Sequence, residues 1–311
     1  MPVISVINYK GGVGKTTLTA NVGAELAWRG YRVLLLDLDP QASLTFSFVR
    51  PDYWNKHLSQ ERTIKSWYDA MQYRQSVDLR SLAFSPSQVN PSLRAYLGNR
   101  RFDIIPSHLG LINVDLELAT ELGGASIRQS KLNYMRVHQR LAQGLADPSF
   151  EDYDIIMIDC PPNFNVVTKT AIVASDYILI PAKPDYLSTL GIDYLKRNLD
   201  ALVGDYNEYV NLESGGDNRK IAPVILGVVF TMVQIYGGVP IAAQRSYITQ
   251  TKHLKLPVFG STLRENKTLF ASAPEEGVPI VLRGHASYRH VVSELEAFVN
   301  ELVEKLAIQA P

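Results

Sequence analysis

INYKGGVGKTT, residues 7–17, sets three glycines and two lysines into one short turn that closes on two threonines. The apolar run VISVIN at 3–8 precedes it with strand character, and an amphipathic helix is expected to follow through about Trp28. Strand, glycine loop and helix in that order make an anion site, because backbone N–H groups and the positive end of the helix dipole converge there. Gly11, Gly12, Val13 and Gly14 form the turn, with glycines where a Cβ would stop the backbone wrapping closely around the anion. Lys15 would lie along the β- and γ-phosphates of a nucleotide, Thr16 would give its hydroxyl to Mg²⁺, and Thr17 would contact the α-phosphate. Lys10, on the entry side, is the unexplained residue: the ordinary G-x-x-x-x-G-K-S/T pattern would need a glycine where Tyr9 stands.

Beyond this loop, apolar runs of strand length recur at RVLLLDLD (32–39), FDIIPS (102–107), YDIIMID (153–159), YILIPA (177–182) and ILGVVFTM (225–232). Continuous Val/Ile/Leu runs fit strands buried on both faces, and alternation with helical stretches fits a parallel sheet. The expected fold class is therefore α/β, a mostly parallel twisted sheet flanked by helices. Residues 1–311 read as a single domain, with a more polar helical elaboration at about 43–101 that holds Trp54 and Trp67, and with TIKSWYDAM at helical spacing. NLESGGDNRK (211–220) reads as a surface loop.

Composition excludes several classes. Lys and Arg number 31 against 31 Asp and Glu, so no overall charge excess announces a nucleic-acid or membrane partner, although a local basic face remains possible. A single cysteine, Cys160, supports neither an internal disulfide nor a thiolate metal cage and is expected to pack; with no secretory leader evident, a cytoplasmic protein is expected. No apolar run reaches the roughly 18 residues that a membrane helix needs.

The second strand ends in LLLDLDPQAS. Asp37 and Asp39 are two residues apart, so along a strand they point to one face. They stand at the carboxyl end of the sheet, where open α/β folds bind ligands.

The loop that starts at Lys10 resembles the deviant Walker A loop of the ParA/MinD family of P-loop ATPases. The resemblance implies a nucleotide-sandwich homodimer with ATP in which Lys10 reaches across to the partner's phosphates, so that nucleotide state is coupled to dimerisation. LLLDLDPQAS resembles the family's switch region, which makes Asp39 the residue that orients the attacking water and Asp37 a partner of Mg²⁺ or its waters. YDIIMIDCPPN resembles the Walker B strand, with Asp159 holding Mg²⁺. Further similar segments at 102–118, 174–195, 225–232 and 263–281 run in the family's order along nearly the whole chain. Arg264 and Asn266 stand where relatives hold adenine, although the spacing to Pro274 differs by about one residue; Ala42 replaces a common glycine.

Within that superfamily, nitrogenase iron proteins need two cysteines per subunit, which this chain lacks. MinD-type proteins bind lipid through a basic C-terminal amphipathic helix. Here VVSELEAFVNELVEKLAIQ sets Val292, Leu295, Phe298, Val299, Leu302, Val303 and Leu306 on one stripe, while Glu294, Glu296, Glu301 and Glu304 face Lys305 alone on the other side. Anionic lipid repels such a face, so no membrane partner is expected and the stripe should pack on the sheet. The ParA branch fits best. It implies nonspecific DNA binding by the ATP dimer, a nucleoid-associated location and a ParB-like adaptor protein. The alternatives are a nucleotide-dependent scaffold for a protein assembly or a MinD-like membrane-associated ATPase. The loop begins by residue 10, so no N-terminal helix-turn-helix domain is expected. Candidate phosphate contacts are Arg245, Lys252, Lys255, Lys267 and Arg289.

Overall fold

The computed structural model describes residues 1–73, 75, 77–90, 93, 102–211, 219–266, 269–270, 277–283 and 288–308. Lys267, Pro274 and most of the 211–220 loop lie outside the described residues.

Strand β1 (Val3–Val6) leads through the glycine turn into α1 (Lys15–Trp28), then β2 (Val33–Asp37). Three helices follow, α2 (Ser43–Phe46), α3 (Pro51–His57) and α4 (Ile64–Gln72), before β3 (Phe102–Ile105). Next come α5 (Leu111–Glu121), α6 (Ile127–His138), α7 (Arg140–Leu145), β4 (Ile155–Asp159), α8 (Val166–Val173), β5 (Tyr177–Ala182) and α9 (Tyr186–Val210). The chain continues through β6 (Val224–Val233), a small hairpin of β7 (Ile235–Tyr236) and β8 (Val239–Pro240), α10 (Ala242–His253), β9 (Val258–Arg264) and α11 (Arg289–Leu306). Seven strands form one sheet in the order β3-β2-β4-β1-β5-β6-β9, with each neighbouring pair parallel.

The central strands are buried along their whole length because helices cover both faces. One core is built under α4, α5, α8 and α9, with Trp67, Leu111, Ile172 and Leu195 among its residues; the other lies under α1, α3 and α11, with Trp54, Leu26 and Phe298. Trp54 and Trp67 thus serve opposite faces of the sheet. Thr63 is the N-cap of the helix at TIKSWYDAM, and its backbone N–H donates to the Ser66 hydroxyl at 3.1 Å.

Helix α1 differs from the expected amphipathic pattern. Each residue from Leu18 to Ala27 is buried, since α1 is enclosed by the sheet, by α11 and by the 3-10 turn Ile280–Leu282. The Asn21 side chain ties that turn down by accepting the Ile280 N–H at 2.9 Å. Gly23 allows the close approach to β2, where a Cβ would meet Leu35 at 2.8 Å.

The C-terminal helix packs as expected, burying Leu295, Phe298, Val299, Leu302 and Leu306, together with Val291. Two of its glutamates have a further task. Glu301 accepts the backbone N–H groups of Gly260 and Ser261 at 2.9 and 3.0 Å, and Glu294 accepts that of Arg264 at 2.9 Å. These carboxylates cover the N–H groups of the edge strand β9, which would otherwise be open to another strand.

Candidate nucleotide site

The strand register assembles the site. Asp37 and Asp159 are direct neighbours at the ends of β2 and β4, and Val6, where the chain leaves β1 for the loop, is paired with Asp159 on the other side. Two carboxylates and the phosphate loop therefore converge at the carboxyl edge of three adjacent central strands, a crevice in which open α/β sheets bind ligands.

In the loop, Gly12 and Gly14 adopt left-handed backbone at φ 69° and 80°, and Gly14 is the N-cap of α1. Cβ atoms built at Gly11 and Gly12 would meet nothing within 4 Å, so the concave side is an open cradle. Its position is held from two neighbouring strands, β5 and β6. Asn8 donates to the Pro181 carbonyl at 2.7 Å and accepts the Lys10 N–H at 2.9 Å, and Thr231 donates to the Val13 carbonyl at 2.7 Å. Neither Asn8 nor Thr231 stands out in the sequence, because each acts through a residue distant along the chain or through backbone.

The two lysines are treated differently. Lys15 is buried, and its ammonium reaches only the carbonyls of Asn8 and Lys10, at 3.3 and 3.4 Å. Burial lowers its pKa, and the nearby Asp159 and Asp39 charges partly restore it. Such a cation, with long contacts and opposite charge close by, suits a polyphosphate. Lys10 is about one-third exposed and pairs with Asp185 at 2.6 Å. Asp185 is the N-cap of α9 and accepts the Ser188 N–H at 2.9 Å. Burial alone would raise the Asp185 carboxyl, but the hydrogen bonds from Lys10 and Ser188 outweigh it and hold the group below its usual range.

Thr16 donates its hydroxyl to Asp159 Oδ2 at 2.7 Å, while the buried Oδ1 of the same carboxylate has no partner among the described residues. Burial and the adjacent Asp37 push Asp159 well up from the ordinary carboxylate range. An orphaned hard oxygen beside a hydroxyl fits Mg²⁺, which takes one or two protein ligands together with phosphates and waters. Among the described residues no set of three His, Cys, Asp or Glu side chains forms a metal cage, so phosphate oxygens and water would have to complete the coordination.

Asp37 is wholly buried and its pKa is pushed up to about 7 by desolvation, against hydrogen bonds that lower it. Both of its oxygens are engaged: Oδ1 accepts the Asp39 N–H at 3.1 Å, and Oδ2 accepts the Thr45 N–H and hydroxyl at 2.8 and 2.7 Å. Its carboxylate therefore faces the segment 39–45 and holds it. Ser107 completes the brace by donating to the Asp39 carbonyl at 2.7 Å. The Asp39 side chain is itself half-buried and accepts the Gln41 N–H at 2.9 Å. Cys160 is fully buried, and burial drives its thiol pKa up, so it is part of the core.

Beside the loop lies a cavity of about 90 Å³, lined mainly by Thr17, Leu18, Met232, Leu263, Asn266 and Phe270. Arg264 also lines it, with its guanidinium tied to Glu294 at 2.5 Å, and Asn266 accepts the Leu269 N–H at 3.2 Å. Met232 sits there in left-handed backbone, at φ 53°. An apolar slot with a few polar groups, adjoining a phosphate cradle, can take a planar base.

The sheet order, the loop and the paired carboxylates define a P-loop nucleoside triphosphatase. Residues 1–212 match the family described as AAA domain. The chain is 30% identical over 285 residues to an uncharacterized protein of Methanocaldococcus jannaschii, covering 90% of each. It is 30% identical to the chromosome partitioning protein ParA of Caulobacter vibrioides, covering 68% of this chain and 67% of that one. With Soj, the sporulation initiation inhibitor protein of Bacillus subtilis, it shares 26% over 95% of this chain and 98% of that one. In fold it resembles apo McdA of Cyanothece, with a TM-score of 0.69, 22% identity, and 97% and 99% of the two chains covered. The chain belongs to the ParA-type ATPases.

Proposed function

We propose that the chain is a partition or positioning ATPase whose subunits pair around ATP and Mg²⁺. The carrying observation is the division of labour between the two lysines. Lys15 already fills the buried place at the cradle, whereas Lys10 sits outside it, one-third exposed and able to be delivered to a second subunit. In this reading the whole chain acts as one ATPase domain. Gly11 to Thr17 wrap the phosphates, Arg264 and Asn266 border the base, and Thr16 and Asp159 hold Mg²⁺, which neutralises phosphate charge when bound. Asp39 orients the attacking water, and Asp37 fixes the segment that carries Asp39. A variant of McdA has been solved as an ATP complex, which supports ATP as the nucleotide.

Two surfaces support assembly. The first half of α9, which starts at the Lys10 partner Asp185, exposes Tyr186, Leu187, Leu190 and Tyr194. A contiguous exposed apolar patch of this kind marks an interaction surface, and its place beside Lys10 fits a second copy of the chain. For DNA, residues 242–255 contain no acidic residue and expose Arg245, Lys252 and Lys255. Arg245 and Lys252 are seven apart on α10 and so share a face. Pairing two subunits doubles that field, which makes nonspecific phosphate binding depend on ATP. Hydrolysis, stimulated by a ParB-like adaptor, would then release the dimer from nucleoid DNA in the cytoplasm. No described helix is long and apolar enough to cross a membrane.

The test is a mobility shift on random-sequence duplex DNA at low salt with ATP, ADP or no nucleotide, alongside Lys15→Ala. Binding is expected with ATP only and lost in the variant. DNA affinity independent of nucleotide would refute the switch; no binding under any condition would leave an ATP-dependent scaffold as the better reading.

A further inference from the structure

The Lys10 ammonium is held by both oxygens of Asp185, at 2.6 and 2.9 Å, across 175 residues of sequence. Asp185 is not free to follow it elsewhere. Its Oδ1 also accepts the Ser188 N–H, which fixes the carboxylate at the first turn of α9, a helix of 25 residues packed on the sheet. The backbone of Lys10 is pinned in turn by Asn8, whose side chain is anchored to the Pro181 carbonyl at the end of β5. The lysine is thus fixed at its root and gripped at its tip, by groups belonging to the same subunit.

Asp185 takes two of the three N–H donors of this ammonium and draws it toward its own subunit, so delivery to the phosphate of a facing subunit competes with the grip. We infer that Asp185 is a positioning residue that holds Lys10 within its own subunit, so that pairing of two nucleotide-loaded chains must first draw Lys10 off this carboxylate. This inference rests on the proposed delivery of Lys10 across the dimer. Asp185 then sets the concentration at which subunits pair. In the single subunit the grip keeps a cation from pointing into solvent near the cradle; in the pair the released carboxylate keeps its capping bond to α9, where negative charge is favoured at a helix N-terminus. Both side chains are about one-third exposed, so solvent screens the ion pair and the grip is modest. A modest grip is what a reversible hold requires.

The test separates grip from cap. Asp185→Asn and Asp185→Ser both keep a good N-cap but remove the charge. Dimer dissociation constants would be measured by sedimentation or mass photometry with Mg²⁺ and a non-hydrolysable ATP analogue, with circular dichroism checking the fold. Both variants are expected to pair about fivefold more tightly than the parent chain, the scale of an exposed ion pair. Lys10→Ala is expected to pair more weakly, and adding Asp185→Asn to it should change nothing further, because the group being gripped is gone. Asp185 variants that pair no better than the parent, or a gain that survives in the Lys10→Ala background, would overturn the inference while leaving delivery of Lys10 intact. A Lys10→Ala chain that pairs as well as the parent would overturn both.

Discussion

Thr16 and Asp159 meet where the first helix begins and the fourth strand ends, with the hydroxyl donating to Oδ2 at 2.7 Å and Oδ1 buried without a partner among the described residues. The Thr16 hydroxyl and the buried Lys15 favour the ionised form of that carboxylate, but burial and Asp37 beside it outweigh them. A divalent cation reverses this balance, since a charge of +2 stabilises the ionised form directly.

The first prediction follows. Asp159→Asn keeps the size of the side chain and a carbonyl oxygen for Thr16 but removes the charge. Nucleotide affinity measured with Mg²⁺ should fall about 10- to 100-fold, the range seen when groups around a metal site are changed. Affinity measured in chelator should change little. An equal loss in both conditions would show that Asp159 supports the loop rather than the cation.

A second prediction concerns the brace behind Asp39. Thr45 donates its hydroxyl to Asp37 and accepts the Ser107 N–H at 2.8 Å, so Thr45→Val leaves Asp37 Oδ2 with the backbone N–H of residue 45 alone and strands the buried Ser107 amide. The loss should be about 1–3 kcal/mol of stability in urea unfolding. Turnover should fall more than ATP binding, because the brace positions segment 39–45 rather than the cradle. Thr45→Ser, which restores the hydroxyl, should recover most of both.

Much of this architecture is legible in the chain, for physical reasons that also explain what is not. Strands β1 to β6 read as largely apolar runs, interrupted by Ser5 in β1 and Asp103 in β3, that one pass along the sequence finds. Strand β9 reads VFGSTLR and is only partly buried, being at the edge of the sheet, so its pattern carries no continuous run. The hairpin of β7 and β8 turns on Gly237 and Gly238, both at positive φ, and its strands of two residues are too short for any period to show. In the site, Gly11 to Thr17 and Asp159 are local patterns. Asp185 is legible only as a helix cap three residues before Ser188; that the cap also grips Lys10 depends on β1 and β5 being neighbours, which is a property of the sheet. For Asp37 the spacing shows only that it shares a face with Asp39, and the resemblance makes it a partner of Mg²⁺ or its waters; that its Oδ2 also accepts Thr45 is something no spacing reveals.

The edge strand supplies a third prediction. Glu301 covers the N–H groups of Gly260 and Ser261 from a partly exposed position, so Glu301→Ala should cost about 1 kcal/mol, below the usual worth of buried charged hydrogen bonds. The sharper readout is local. Hydrogen exchange at those two amides should quicken roughly tenfold while the β1 and β4 amides stay unchanged. Uniform quickening across the sheet would point to a global loss and refute an edge-specific role.

The fourth prediction is a pH dependence with its source far from the nucleotide. His138 is fully buried at the end of α6; its Nδ1 is 2.7 Å from the Tyr134 carbonyl, and Nε2 has no partner among the described residues. Desolvation, partly opposed by that hydrogen bond, lowers its pKa from 6.5 to about 4, with Lys169 adding a smaller push in the same direction. Between those values the unfolded chain binds a proton that the folded chain refuses, so stability rises with pH across the window. The contribution is complete above about pH 6.5 and is lost as pH falls through about 4, amounting to roughly 3 kcal/mol at 1.36 kcal/mol per unit. Urea unfolding of the nucleotide-free chain at pH 7.5, 6, 5 and 4.5 should show this decline. His138→Gln, which cannot take up the proton, should flatten the part of the decline that falls between pH 6.5 and 4.5. An unchanged slope in that variant would assign the acid sensitivity to other groups and show that the ring is already charged or hydrated in the native fold.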